Sequence, residues 1–329
     1  MNNHLYQLKN ITGILLSPNL NYTAVRDACI SLSAFFCELS GFNIGARENQ
    51  EHIISDAGQA VSPFTAAHCV TDMMRTRNFL QGIRDAIDEK AAQKKEEPVI
   101  VLYAGTGPFA TLLTPLTTIY TPAQLQLVLM DINPISIQYL QKIIEKLHLH
   151  PYITDLVEAD AASYIIPSRH QPDILVSETM KPGLLKEPQV NITANLVPQC
   201  TNQTILIPER IEVNACLAGN VALHPEDFIT LSALLQLDKQ TAMVIKKNPG
   251  LIPVLSEGVV VIIPDNTGHA LVLGTIIKIF NKHYLKMNES SLTVNHRLMD
   301  VSAIGKLPAR VLFKYHLKNE PGFSVSVID

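Results

Sequence analysis

The residues of this sequence best suited to chemistry stand where apolar runs end. Val99-Ile-Val-Leu102 leads through Tyr103 and Ala104 into Gly105-Thr106-Gly107, and Gln126 to Met130 leads into Asp131. A short run near Asp155 to Glu158 ends in Ala159-Asp160-Ala161, and Asp173-Ile-Leu-Val-Ser177 ends in Glu178. A second glutamate, Glu187, follows nine positions later. Gly-x-Gly after a strand gives a ligand access to backbone free of side chains, beside the partly positive start of the next helix. An acidic residue about 25 positions further on, at the end of the following strand, is where a cofactor with a ribose needs an acceptor for its hydroxyls.

The surrounding pattern supplies the elements that must position these residues. Val99 to Leu102 is a strand buried on both faces, followed by a helix-like run from Ala110 to Leu116. Pro134 opens a helix whose Ile135, Leu140, Ile143, Ile144 and Leu147 repeat at helical spacing, and Thr204-Ile-Leu-Ile-Pro208 reads as a fifth strand. Strand and helix in alternation predict a doubly wound, Rossmann-like α/β sheet, whose ligands gather at the carboxyl ends of its strands. Upstream, Ser62-Pro63 starts a helix expected to run through Arg77 to Ile87; a charged stretch with Lys94, Lys95, Glu96 and Glu97 then leads to Pro98. Residues 1 to about 57 read as helical and amphipathic, most clearly from Tyr22 to Leu39, as an accessory layer.

After Pro208 the pattern changes to β-runs: Ile211 to Leu217, Gly258 to Ile263, Ala270 to Phe280, Val311 to Leu317 and Phe323 to Ile328. Turns such as Pro264 to Gly268 and Asn319 to Gly322 separate several of them, so an all-β, barrel-like domain is expected. Phe228 to Ile245 reads as a helical insertion able to pack on another subunit. The expected division is 1–60 helical segment, 61–208 sheet domain and 209–329 β domain.

Composition narrows the function classes. With 47% hydrophobic and 17% charged residues over 329 positions, the chain is globular and long enough for two domains. A net charge of −4 gives no general attraction to nucleic acid or to an anionic membrane, so neither partner is expected. The five cysteines are odd in number and scattered, which fits free thiols in a reducing cytoplasm. The first residues lack a signal peptide's basic start and apolar core, and no apolar run reaches a membrane span. His148 and His150 have no acidic or thiol partner near them in sequence, and no metal site is expected.

The acidic strand ends resemble those of class I S-adenosylmethionine-dependent methyltransferases, and more narrowly the protein arginine methyltransferase family. Four stretches carry the resemblance: Met74-Arg75-Thr76 before the sheet, Ala104-Gly105-Thr106-Gly107, Asp131, and Ser177-Glu178-Thr-Met-Lys-Pro-Gly-Leu-Leu-Lys-Glu187-Pro188. Leu206 to Arg210 is similar to the strand that enters the family's barrel. The resemblance implies S-adenosyl-L-methionine as cofactor, held by Arg75 at its carboxylate, by Ala104, Gly105, Thr106 and Gly107 in the loop, by Asp131 at the ribose, and by Asp160 and Ala161 near the adenine. It implies catalytic roles for Glu178 and Glu187, because two carboxylates can grip a planar guanidinium from two sides and align one nitrogen for methylation. A homodimer is also implied.

Some family features are replaced. Tyr103 stands where the family has an acidic residue before the glycine loop, and Phe109 replaces the third glycine. Asp56 to Phe64 holds no tyrosine, and the chain has no tryptophan for the family's Thr-His-Trp loop; Thr293-Val-Asn-His296 lies nearby, with His296 expected on the surface. Missing peptide-site aromatics favour a small acceptor such as free arginine over an arginyl side chain. Another nitrogen or oxygen nucleophile, or a scaffold without catalysis, is the alternative.

Overall fold

The computed structural model describes residues 3–94, 97–219, 224–247, 254–266, 268–317 and 320–328; Lys95, Glu96, Thr267 and Asn319 lie outside them. Two helices open the chain, α1 (Asn3–Leu15) and α2 (Tyr22–Ser40). Asn21 caps α2 by accepting from Ala24 N, and Gly41 ends it in the left-handed conformation. The apolar face of α2, from Val25 to Leu39, is buried. The helical expectation fails beyond α2, where β1 (Ile53–Ser55) and β2 (Gly58–Ala60) form an antiparallel hairpin.

The helix expected from Pro63 to Ile87 is two helices. Ser62 caps α3 (Pro63–His68), a 3-10 turn follows over Cys69–Thr71, and α4 (Met73–Lys94) starts anew. Asp72 causes the restart: it stands in extended backbone, and its Oδ1 accepts from Arg75 N.

The sheet contains β3 (Val99–Ala104), β4 (Leu125–Asp131), β5 (Ile153–Glu158), β6 (Ile174–Ser177) and β7 (Ile205–Ile207), with α5 (Pro134–Lys146) and α6 (Gln189–Leu196) in the connections. All neighbours are parallel, in the order β5-β4-β3-β6-β7. The helix expected at Ala110 to Leu116 is absent; residues 107–113 are turns and Thr114–Thr118 is a 3-10 helix. Ala110, with φ of +44°, leaves the right-handed helical path, and Pro115 supplies no N–H to continue an α-helix.

The C-terminal part is antiparallel. It comprises β8 (Arg210–Ala218), β9 (Phe228–Leu237), α7 (Lys239–Lys247), β10 (Val254–Ile262), β11 (Ala270–Phe280), β12 (His283–Leu285), β13 (His296–Asp300), β14 (Ala309–His316) and β15 (Gly322–Ile328). One sheet runs β12-β11-β8-β9 with β13 also on β11; a second runs β10-β14-β15, and β9 lies beside β10 to join them into a barrel-like body. The stretch read as a helical insertion is β9 and the short α7: Phe228 to Leu237 pairs along β8 as a strand, an outcome that burial on a sheet imposes over helical periodicity. No helix among the described residues is long and apolar enough to cross a membrane.

Candidate active site

β3 is the first strand of the sheet, with β4 and β5 on one side and β6 and β7 on the other. Chain order therefore reverses beside β3, the position at which open α/β sheets leave a crevice at their carboxyl ends. A cavity of about 420 Å³ lies there, lined by nine of the ten residues singled out in the sequence: Arg75, Gly105, Thr106, Gly107, Asp131, Asp160, Ala161, Glu178 and Glu187. Ala104 is the exception; its methyl is buried within the sheet and lines no part of the cavity.

One wall is the glycine turn. Gly105 and Gly107 have φ of +82° and +59°, and the N–H groups of Gly105 and Thr106 donate to Met130 O. A Cβ at Gly105 would collide with the Thr179 methyl, so glycine is required twice over. Gly107 N donates to Asp131 Oδ2 at 2.7 Å and Asn133 N to Asp131 Oδ1 at 2.8 Å. Asp131 thus ties the turn to the end of β4, while each oxygen keeps a lone pair for a further donor. Burial lifts its carboxyl to about 6, against the pull of the backbone N–H groups of Asn133, Gly107 and Ile132. Asn133 caps α5, accepting from Ile135 N. Asp160 Oδ1 accepts from Ala162 N in the turn after β5. Thr106 lines the cavity, and its Oγ1 is buried with no hydrogen-bond partner.

The two replacements seen in the loop have a structural basis. Tyr103 lines the cavity as a phenol that burial holds protonated. Phe109 leaves the cavity altogether: its ring stacks on Phe36 at 5.3 Å between centroids and meets the edge of Phe42 at 5.5 Å. A third glycine serves close packing of a helix on the strand. With that helix replaced by turns, an aromatic ring anchors the loop to α2 instead.

The other wall is the loop between β6 and α6. Glu178 and Glu187 are only 7% and 6% exposed, and both line the cavity. Arg75, expected at a cofactor carboxylate, is bonded to Glu178: its Nε donates to Glu178 Oε2 at 2.9 Å and its Nη2 donates to the same oxygen. Two of its five donors are used in this way. Glu178 Oε1 is buried and has no partner. Burial raises the Glu178 carboxyl to about 7 despite Arg75, with the charge of Glu187 adding to the rise. Burial likewise raises Glu187, opposed by Lys181 and Arg75; Lys181 Nζ stands 3.5 Å from Glu187 Oε1.

The segment bearing Glu187 is held on both sides. Gly183, Leu184 and Lys186 all have positive φ, 70°, 55° and 65°, which for Leu184 and Lys186 is a cost sustained by neighbours. Tyr315 OH donates to Leu184 O, Lys186 N to Pro321 O, and Gly183 N to Thr275 Oγ1, all from the barrel side. From the hairpin side, Gln59 N donates to Lys186 O at 2.7 Å. Gln189 Oε1 accepts from Thr179 N and Oγ1, fixing the backbone beside Glu178.

Sequence reasoning missed Lys181, Gln189, Asp72 and the hairpin. Only Lys181 carried a signal, being a cation between the paired glutamates. Asp72 Oδ2 accepts from Ser290 Oγ, Ser291 N and Ser291 Oγ, which brings Ser291 and Leu292 to the cavity. His296 is exposed at the start of β13 and stands outside the lining.

No family model matches the chain, and no curated protein matches it in sequence. Solved structures do match. The crystal structure of protein arginine methyltransferase 6 superposes with a TM-score of 0.56 at 10% identity, covering 81% of this chain and 99% of its own. Arabidopsis thaliana protein arginine methyltransferase 10 gives 0.53 at 10% identity, covering 79% and 96%. The chain has the protein arginine methyltransferase fold. A second structure of arginine methyltransferase 6, with SAH, gives 0.52 at 12% identity, covering 78% and 97%. At such identities the likeness is one of architecture: parallel sheet, then barrel, in an arginine methyltransferase arrangement.

Proposed function

We propose that the chain is an S-adenosylmethionine-dependent N-methyltransferase acting on the guanidino group of arginine, free or as an arginyl residue. One observation carries this reading: two buried carboxylates nine residues apart converge on one cavity with the glycine turn, and Glu178 Oε1 is unpartnered. S-adenosylmethionine fits the opposite wall, where the glycine turn, the unpartnered Thr106 Oγ1 and the lone pairs of Asp131 offer places for it. Asp160, Ala161 and the remaining donors of Arg75 would complete its site. When bound, it supplies a methyl group on an already activated sulfonium.

The chain's own residues supply positioning and charge. Ionised Glu178 and Glu187 accept N–H bonds from the guanidinium, and two fixed acceptors set its plane. The clamped loop makes that orientation rigid, the condition under which proximity lowers a barrier by several kcal/mol. Both carboxylates face the positive charge that grows on the attacking nitrogen. Glu178 Oε1 is suited to take the proton that the methylated nitrogen loses, its carboxyl being close to neutral pH in affinity.

Mass spectrometry of products from free L-arginine and an arginine-containing peptide, each with S-adenosylmethionine, tests the reading. Glu178→Gln is expected to lower turnover roughly 100-fold or more, the worth of charge-assisted bonds at a reacting group. S-adenosylhomocysteine affinity, measured by calorimetry, should stay within about threefold. Binding of S-adenosylhomocysteine without product from either acceptor rules out arginine and leaves another nucleophile. Absence of binding at millimolar ligand rules out the methyltransferase reading and favours a scaffold.

A further inference from the structure

We propose that Lys181 forms a carboxylate subsite, so that the acceptor is a free guanidino acid such as L-arginine and not an arginyl residue inside a peptide. The inference rests on the reading of Glu178 and Glu187 as a guanidinium clamp. Among the described residues, two cations line the cavity, Arg75 and Lys181. Arg75 is committed to Glu178 by two bonds to one oxygen. Lys181 is 41% exposed and only loosely placed, its Nζ 3.5 Å from Glu187 Oε1.

A lysine parked on a carboxylate that must receive a guanidinium opposes an acceptor carrying only positive charge. That acceptor has to displace the ammonium and then lie beside it, like charge against like charge. An acceptor with its own carboxylate reverses the balance, because the displaced ammonium finds a new partner. The four-carbon stem and three rotatable donors of lysine permit that exchange. Glu187 then takes the guanidinium while Lys181 takes the acid group.

The same loop offers little to a peptide backbone. Gly183 N, Leu184 N and O, and Lys186 N and O are already paired inside the chain, with Thr275, Lys181, Tyr315, Pro321 and Gln59. An extended substrate gains affinity by main-chain bonds to free donors and acceptors, and along 183–186 most of these are taken. The hairpin adds Ser55, Gln59 and Ala60 to the lining on that side.

The test compares L-arginine, L-argininamide, agmatine and a peptide with an internal arginine as acceptors of the full chain. Calorimetric binding of each to the protein saturated with S-adenosylhomocysteine gives a second readout. L-arginine is expected to exceed agmatine and the amide by roughly tenfold or more in kcat/KM and in affinity, the worth of one bond to a charged group. Lys181→Met should bring arginine down to the level of agmatine, chiefly through KM, and Lys181→Arg should restore most of the preference. A merely structural lysine would not move that ratio. Equal use of arginine and agmatine by the wild-type chain, or a preference for the peptide, overturns the subsite while leaving the clamp intact. Failure of every guanidino compound to bind or react overturns both.

Discussion

Gly58 is the most exacting test of how Glu187 is held. It has φ of +130°, and a Cβ there would stand 2.7 Å from Lys186 O, 3.1 Å from Glu187 C and 3.2 Å from Pro188 N. All three are backbone atoms of the segment that carries Glu187, so no side chain can rotate away. Ordinary contact distances require the hairpin and this segment to separate by roughly 0.7 Å. Gly58→Ala therefore costs about 1–3 kcal/mol for a φ that only glycine adopts easily. Weakening the Gln59 N to Lys186 O bond adds about 1 kcal/mol. The melting temperature should fall by roughly 3–6 °C. The larger effect is on the acceptor: displacing a positioning carboxylate by a fraction of an ångström to 1 Å costs up to about 100-fold. Initial rates against L-arginine should drop by about 10- to 100-fold, mostly in kcat/KM. S-adenosylhomocysteine affinity should change less than about twofold, because the glycine turn lies on the other wall. A variant that melts earlier but keeps wild-type acceptor kinetics would refute the claim that the hairpin sets the position of Glu187.

Two further outcomes follow from the same geometry. Glu178 is raised from 4.5 to about 7, so between those values the folded chain keeps a proton that the unfolded chain has lost. Its contribution to stability is full below the unfolded value and lost as pH rises through about 7, while the ionised form needed to grip a guanidinium appears over the same range. Acceptor kcat/KM should rise with pH through about 7 in the wild-type chain, the thermal midpoint should lose the matching contribution, and Glu178→Gln should flatten both. Acceptor kinetics that stay flat or fall across that range would contradict the assignment. Phe109→Ala should cost about 3–5 kcal/mol, since the ring is 1% exposed between Phe36 and Phe42, and should weaken S-adenosylhomocysteine by loosening the turn. Chemical denaturation reads the first effect, and a loss under about 1 kcal/mol would show that the stack does not anchor the loop.

Much of the sheet was legible because its strands are short apolar runs that end in residues of a different kind. Gly105, Asp131, Asp160 and Glu178 each close such a run, and the α/β pattern places all four ends on one edge. Local signals of this sort, period and punctuation, do not depend on distant contacts. The errors arose where distant contacts decide. Phe228 to Leu237 looks helical until β8 offers a strand partner, and Ala110 to Leu116 looks helical until Pro115 and the burial of Phe109 against α2 are weighed. Asp72 sits among helix formers, yet its bonds to Arg75 N and to Ser290 and Ser291, some 218 residues away, break the helix there.

The sequence by itself determined which residues meet: parallel strands share one edge, so the glycine turn, Asp131, Asp160 and Glu178 converge whatever the rest of the chain does. It also determined the loop with glutamates at 178 and 187. Tertiary structure alone decided that Arg75 rests on Glu178, that Lys181 rests on Glu187, and that Gln59 and Pro321 hold the backbone between them. Those pairings join segments with no shared periodicity, and their partners are chosen by which surfaces the folded sheet, hairpin and barrel bring within a hydrogen bond's length.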